Sequence, residues 1–366
     1  MDMSTVKIIL ALAATWGVGT KHGDIPNAYV KADKEADLEI LLQVPKGMDV
    51  SGDTVNELEA TNVSELALQL RKSLYGHKQQ DGSDLVVVGV YIDDLLATGT
   101  NAAAVDRFFK SLGSLSIKDL GHVNKFLGMR VAVDDDGSYV IDQEGAINDL
   151  LREHGLDDAN STRTPIGADC YEVPTTDSAL LIAEEGEGPS IRSFQSLVGS
   201  LLWVARCTRS DIAFAVHKVT RQTHQPRVHD FKLAKRIARY LKGTRKYKLC
   251  MTPTKNAGKS VTLESYSDAD FAADKADRKS LTGGVIRLNG MAEQARELLG
   301  IRQMLCEVGL PPGLPMTLHV DKHAAVRRGV IPESQAHRCA PQLADLMTKA
   351  VDAAKLALLC VLMNLE

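Results

Sequence analysis

Residues 85–100 read LVVVGVYIDDLLATGT, an apolar, β-branched run with two adjacent carboxylates, Asp93 and Asp94, set into it. No other stretch restricts the fold as strongly. Valine, isoleucine and leucine at this density predict two strands flanking the pair, in a sheet that other layers must cover. An ionised carboxylate buried without a partner is very costly. The pair is therefore expected at the tip of a hairpin, where it emerges from the buried sheet. Aspartate in a turn usually has a local task, because its side chain hydrogen-bonds the nearby backbone. Two features point past that task. The flanking strands are almost wholly apolar, and a further carboxylate, Asp24 in GDIPNAYV, stands at a strand end upstream. Carboxylates converging from two strands need a cation between them, and hard oxygen ligands at that density select Mg2+ or Mn2+. Two such ions side by side stabilise the attacking and leaving oxygens of a phosphoryl transfer.

The rest of the chain sets bounds on this reading. Its 366 residues suffice for two or three domains, and 44% hydrophobic with 25% charged residues is a globular composition. A net charge of −4 gives no overall attraction for a polyanion, so any nucleic-acid contact must come from a local patch. The six cysteines (Cys170, Cys207, Cys250, Cys306, Cys339, Cys360) are scattered without a CxxC pair. That argues against structural zinc and for a reducing compartment. VKIILALAATWGVG is too short to span a membrane and lacks a basic leader and a cleavage site. It reads as a buried helix, and the protein is expected inside the cell, cytoplasmic or nuclear, and not secreted.

Periodicity predicts helices over 5–18, 66–76 and 102–112, a strand within 38–48, a hairpin over 125–143 turning at DDDG, and a helix ending at Gly155. Residues 158–190 are polar, acidic and rich in Pro and Gly, a linker or long surface segment. Three helices follow, the last ending at Gly243. Strands are expected within 247–253, 261–272, 281–290 and 316–321, with helices over 292–309 and 340–365. Trp16 and Trp203 lie in apolar helices and read as core. His217, His224 and His229 lack metal-ligand spacing and read as surface or capping residues.

YIDDLLATG resembles the YxDD signature of reverse transcriptases, in the form used by copia-type LTR retrotransposons. Neighbouring blocks match the same family in the same order. They are GDIPNAYVKADKEADLEILLQVPKGM, LRKSLYGHKQ, IKDLGHVNKFLGMRV with DQEGAINDLLREHGL, SFQSLVGSLLWVARCTRSDIAFAVH with AKRIARYLKGT, and YSDADFAADKADRKSLTGGVIRLNG. The resemblance implies an α+β chain. Residues 1–157 would be a partial reverse-transcriptase palm and 158–190 a linker. Residues 191–248 would form a helical, basic, thumb-like connection, and 249–366 a partial ribonuclease H-like domain. It implies RNA-directed DNA polymerase chemistry with Mg2+ or Mn2+, on an RNA/DNA template–primer duplex with dNTPs, in a cytoplasmic virus-like particle or the nucleus. Asp24, Asp93 and Asp94 stand at the family's polymerase metal positions. Asp268 of YSDAD and Asp321 of LHVDKHAA stand at ribonuclease H metal positions, and Asp345 of QLADLMTK at its last acidic position.

The chain also departs from the family. Several dozen family residues are missing between Gln79 of YGHKQ and Asp81, and the sequence opens just before the first catalytic block, so a fingers segment is not expected. After Gly290 the family's Ser-x-Glu-Ala-Glu segment is missing, and Lys322 follows Asp321 where the family has Asn. Losing part of a packed palm uncovers core and leaves backbone groups unpaired. Polymerase activity is therefore expected to be absent or very weak, and ribonuclease H activity impaired. Alternative readings are a non-catalytic nucleic-acid-binding remnant or a chain joined from transposon pieces by mis-splicing. For binding, residues 221–248 hold ten Lys/Arg against one acid, Asp230. Lys232, Lys235, Arg236, Arg239 and Lys242 fall at helical spacing with Arg245 just beyond, a candidate phosphate track.

Overall fold

The apolar run forms the hairpin its sequence requires, and the remaining elements are layered around it. In a computed structural model, the structure describes residues 3–24, 40–43, 67–70, 79–81, 84–112, 117–167, 181, 190–253, 262–270, 281–288, 291–294, 298–307, 310, 312–313, 317–320 and 342–366. The first half contains α1 (Met3–Trp16), β1 (Lys21–Asp24), β2 (Ile40–Gln43), β3 (Ala67–Leu70), β4 (Gln79–Asp81), β5 (Asp84–Tyr91) and β6 (Asp94–Gly99). It continues with α2 (Ala102–Ser111), β7 (Lys118–His122), β8 (Lys125–Phe126), β9 (Met129–Val133), β10 (Tyr139–Asp142) and α3 (Glu144–Glu153). The second half contains α4 (Ile191–Cys207), α5 (Ala213–Thr220), α6 (Val228–Gly243), β11 (Leu249–Met251), β12 (Leu263–Asp270) and β13 (Leu281–Leu288). It ends with β14 (Met291–Gln294), α7 (Leu298–Glu307), β15 (Thr317–Val320), α8 (Asp345–Thr348) and α9 (Ala353–Leu362). The fold is mixed α+β, with mostly antiparallel sheets. None of the described helices is long and apolar enough to cross a membrane.

The central sheet has the order β4-β5-β6-β1-β7. Side chains alternate across a strand, and the two faces of β6 show it. Leu96 joins the cluster of α1, where Val6, Ile9, Leu10 and Leu12 are buried with Phe126, Met129 and Ile141. Ala97 faces the other way, into Ala104, Val105 and Phe109 of α2. With both faces covered, the continuous apolar run is accounted for.

Three expectations are corrected here. Residues 67–70 form a strand and not part of a helix, because each pairs with β2, Ile40 with Leu70 through Gln43 with Ala67. Tertiary pairing outweighs the modest helix preference of Ala, Leu and Gln. Residues 71–76 lie outside the described residues. Met291–Gln294 likewise pairs with β13, so the helix expected over 292–309 is confined to Leu298–Glu307. Trp203 is 40% exposed, on the outer side of α4, and is not a core residue.

A second sheet has the order β11-β10-β9-β8, and a third has β14-β13-β12-β15 with β12 and β15 parallel. Strand β11, expected to open the last domain, instead pairs with β10, Tyr139 opposite Met251. Its Leu249 and Met251 are buried with α1, together with Leu263, Ile286, Leu288 and Leu305. A second cluster joins α3, α4, α5 and α6 to Leu346, Met347, Leu356 and Leu359 of α8 and α9.

At the centre of that cluster lies Arg209, fully buried. Its Nε and Nη2 donate to Asp211 at 3.0 and 2.7 Å, Nη1 donates to the Thr244 carbonyl at 2.9 Å, and Nη2 also donates to Thr244 Oγ1 at 2.6 Å. The Tyr240 hydroxyl donates to Asp211 Oδ2 at 2.7 Å. Burial works against the guanidinium charge, but Asp211 outweighs it and holds Arg209 above its ordinary pKa. Burial and the same carboxylate push the Tyr240 phenol up. Removing one partner of a buried pair leaves an uncompensated charge, at about 3–5 kcal/mol. Asp211→Ala is therefore expected to lower stability in urea denaturation by about that much, while Arg209→Met combined with Asp211→Leu costs far less.

Candidate active site and nucleic-acid interface

The strand registers bring the upstream carboxylate to the hairpin. Tyr91 of β5 pairs with Asp94 of β6, Asp94 with Asp24 of β1, and Asp24 with Lys118 of β7. These four residues form one row across four adjacent strands, on one face of the sheet. Asp24 and Asp94 are thus directly opposite each other. The hairpin differs from expectation in one respect. Its two-residue tip is Ile92-Asp93, and Asp94 is already the first residue of β6. Ile92 is 51% exposed with φ 57°, a left-handed conformation unusual for a β-branched residue.

Basic groups surround the row. His22 Nε2 lies 2.9 Å from Asp94 Oδ1, so the ring N–H donates and fixes one carboxylate oxygen. The ring also meets Phe126 edge-on, with centroids 5.3 Å apart. Lys118 Nζ stands 3.7 Å from Asp24 Oδ2. Lys21 bridges Asp106 of α2 at 2.7 Å and Asp119 of β7 at 3.0 Å. The bond to Asp106, helped by Asp119, raises the Lys21 pKa against partial burial. Sequence reasoning missed His22 and Lys118. A strand expected from Asp24 onward leaves His22 outside it; β1 ends at Asp24 instead, which sets His22, two residues earlier, on the same face.

Among the described residues, no three His, Cys, Asp or Glu side chains close into a metal cage. The row sets two carboxylates, Asp24 and Asp94, directly opposite each other, with His22 on one oxygen of Asp94 and Lys118 3.7 Å from one oxygen of Asp24. Mg2+ keeps several waters and binds through one or two carboxylates plus substrate phosphates, and Asp24 with Asp94 offers that pair.

The second acidic set is different. Asp268 of β12 is buried, and Asp345 opens α8. Lys349 Nζ lies between them, 3.0 Å from Asp268 Oδ2 and 2.9 Å from Asp345 Oδ1. Thr348 Oγ1 donates to Asp268 Oδ2 at 2.5 Å, and Lys355 Nζ reaches Asp345 Oδ2 at 2.6 Å. Burial opposes the Asp345 charge, but Lys355 and Lys349 hold its pKa below the ordinary carboxylate value. Burial also opposes the Lys349 charge, and the two carboxylates overcome it and raise its pKa. A divalent ion does not fit between carboxylates engaged in this way. Asp321 lies outside the described residues, one position beyond Val320, which pairs with Ser267. The sequence signal missed here is Lys349 itself, one helical turn after Asp345.

The basic helix α6 divides into two sets. Arg236 donates to the Thr164 side chain at 3.1 Å, Arg239 to the Asn160 carbonyl at 2.5 Å, and Lys242 to the carbonyls of Asp157 and of Ala159, the latter at 2.9 Å. These three residues hold the segment 157–164 onto the helix, so the start of the expected linker is packed chain. Lys235 lies over the Phe231 ring, 4.7 Å from its centroid. Lys232 and Arg245 are exposed.

Comparison with known proteins gives the following. A family model for reverse transcriptase (RNA-dependent DNA polymerase) matches residues 79–168. The chain is 28% identical over 329 residues to the retrovirus-related Pol polyprotein from transposon TNT 1-94 of Nicotiana tabacum, covering 80% of this chain and 23% of that protein. Against the retrovirus-related Pol polyprotein from transposon RE1 of Arabidopsis thaliana it is 26% identical over 316 residues, 78% of this chain and 20% of that one. It is 30% identical over 195 residues to the uncharacterized mitochondrial protein AtMg00810 of Arabidopsis thaliana, 53% of this chain and 75% of that protein. The chain thus spans about a fifth to a quarter of the Pol polyproteins it matches.

The turn residue Ile92 gives a direct test of the hairpin. A left-handed L-residue costs roughly 1–2 kcal/mol, part of which glycine returns as lost chain entropy. Ile92→Gly is expected to raise stability by up to about 1 kcal/mol in urea denaturation; a loss of stability would show that the turn is not strained.

Proposed function

Because the chain belongs to the copia-type retrotransposon Pol family and carries a segment of its reverse transcriptase, we propose that it is a degenerate reverse transcriptase–ribonuclease H fragment that still binds nucleic acid and has lost most or all polymerase activity. Reverse transcriptases act on a nucleic-acid template with divalent metal ions. The observation that carries the reading is the row Tyr91–Asp94–Asp24–Lys118, in which two carboxylates from separate sequence blocks are directly opposite each other. Asp24 and Asp94, with Asp93 beside them in the turn, are the residues that would hold Mg2+ or Mn2+. When bound, such an ion activates the primer hydroxyl and neutralises charge on the transferred phosphate. His22 orients Asp94, and Lys118 shields Asp24 while no phosphate is present.

Two observations support degeneracy. Strand β4 pairs with β5 immediately, Asp81 opposite Asp84, at the point where the family resemblance implies several dozen further residues. The 329-residue alignment to the Nicotiana polyprotein is also longer than the 80% of this chain that it uses. A polymerase needs its groups held close to productive geometry, and misplacement by about 1 Å costs on the order of 10²-fold in rate. The β14-β13-β12-β15 sheet, with parallel β12 and β15 and Asp268 near the end of β12, supports a partial ribonuclease H-like unit. The same reading puts the protein inside the cell, in cytoplasmic particles or the nucleus.

Primer extension on an RNA template with dNTPs and Mg2+ or Mn2+ tests activity. Extension is expected to be absent or at least about 10²-fold below that of an intact family enzyme. Faster extension that disappears in Asp94→Asn would overturn the loss of activity. Binding is tested separately by salt titration on a template–primer duplex. Neutralising Lys232 and Arg245 is expected to lower the salt slope by roughly 1 per residue at unchanged stability. Neutralising Arg236 and Arg239 is expected instead to loosen residues 157–164 and lower stability.

A further inference from the structure

We infer that Lys349 is a built-in cation for the Asp268–Asp345 pair, so that this acidic cluster is a structural cross-link between β12 and α8 and takes no divalent metal. The ammonium bridges the two carboxylates at 3.0 and 2.9 Å, the position an ion shared between them would take. Lys355 engages the other oxygen of Asp345, and the Thr348 hydroxyl donates to the same Asp268 oxygen as Lys349. Among the described residues, two ammonium groups already balance two carboxylates. A divalent ion placed between Asp268 and Asp345 would meet both lysines at short range.

The backbone is shaped for this contact independently of the side chains. Gly283 of β13 pairs with Asp268 of β12. A Cβ on Gly283 would lie 2.4 Å from Met347 Cβ, 2.8 Å from Thr348 Cγ2 and 3.2 Å from the Ala344 carbonyl oxygen. The missing side chain lets α8 lie directly on the sheet, and that approach delivers Thr348 and Lys349 to Asp268. A tethered ammonium also needs no recruitment from solution, unlike an ion. The inference rests on this geometry and not on the reading of the Asp24–Asp94 row, and its test removes that row.

The test uses the full chain with Asp24→Asn and Asp94→Asn as background. Thermal unfolding is followed in Mn2+, in Mg2+ and in chelator, with Mn2+ binding measured by calorimetry. The background protein is expected to show the same Tm in all three conditions and no Mn2+ uptake that depends on Asp268. Lys349→Met is expected to lower Tm by about 2–5 °C in the absence of metal, the modest size reflecting the partial exposure of Lys349. Lys349→Arg is expected to keep most of that stability. A rise in background Tm with Mn2+ that is abolished by Asp268→Asn would overturn the inference, since the metal would then displace the lysine. An unchanged Tm in Lys349→Met would overturn it equally.

Discussion

Arg209 is the constraint around which the second half of the molecule is organised. A guanidinium with no exposed surface is tolerable only if its donors are met, and the partners come from two separate places in the sequence. Asp211 stands just before α5, and Thr244 caps the end of α6. Tyr240 and Tyr247 place their rings 5.6 and 5.1 Å from the charge. Satisfying one side chain therefore fixes where α6 ends relative to where α5 begins. That in turn sets the apolar faces against which α8 and α9 close. The ion pair acts less as a source of net stability than as a fixed reference point, because an apolar replacement of equal volume could pack as well.

In the central sheet the equivalent constraint is register. Pairing is fixed to the residue wherever a face is buried, since a slip by one position turns every side chain to the wrong side. Leu96 under α1 and Ala97 under α2 both enforce it. The register of β1 on β6 then determines that Asp24 and Asp94 meet, with no direct interaction between their side chains required. The carboxylate pair is thus held in place by packing on either side of it. The positions are maintained by the apolar core, and the core continues to be needed whether or not the site works.

Strong periodicity and turn chemistry were legible in the sequence. The hairpin over 85–99, the Asp134–Gly137 turn, and the helices ending near Gly155 and Gly243 follow from residue type alone. Residue type also singled out Asp24, Asp93 and Asp94, whereas Asp268 and Asp345 were singled out only by the family resemblance. What stayed hidden depends on partners distant in sequence. Ala67–Leu70 is a strand because β2 pairs with it, and its composition carries no sign of that. Arg236, Arg239 and Lys242 read as one face of a basic helix, but the Thr164 hydroxyl and the carbonyls they bind belong to a segment 72 to 83 residues earlier. Lys349 was visible one turn from Asp345, yet its link to Asp268 depends on a glycine in a different strand. Charge patterns in sequence give the sign of a surface and not what already occupies it.

The apolar cluster under α1 also contains Leu263, Ile286, Leu288 and Leu305 from the later sheet and helix. The two halves of the chain therefore share one interior. Pivoting the two as separate bodies would open that interior to water. The same sharing couples the two halves in stability. A cavity opened at Leu263, Ile286 or Leu288 therefore loosens the packing of α1, and one opened in α1 loosens the later sheet.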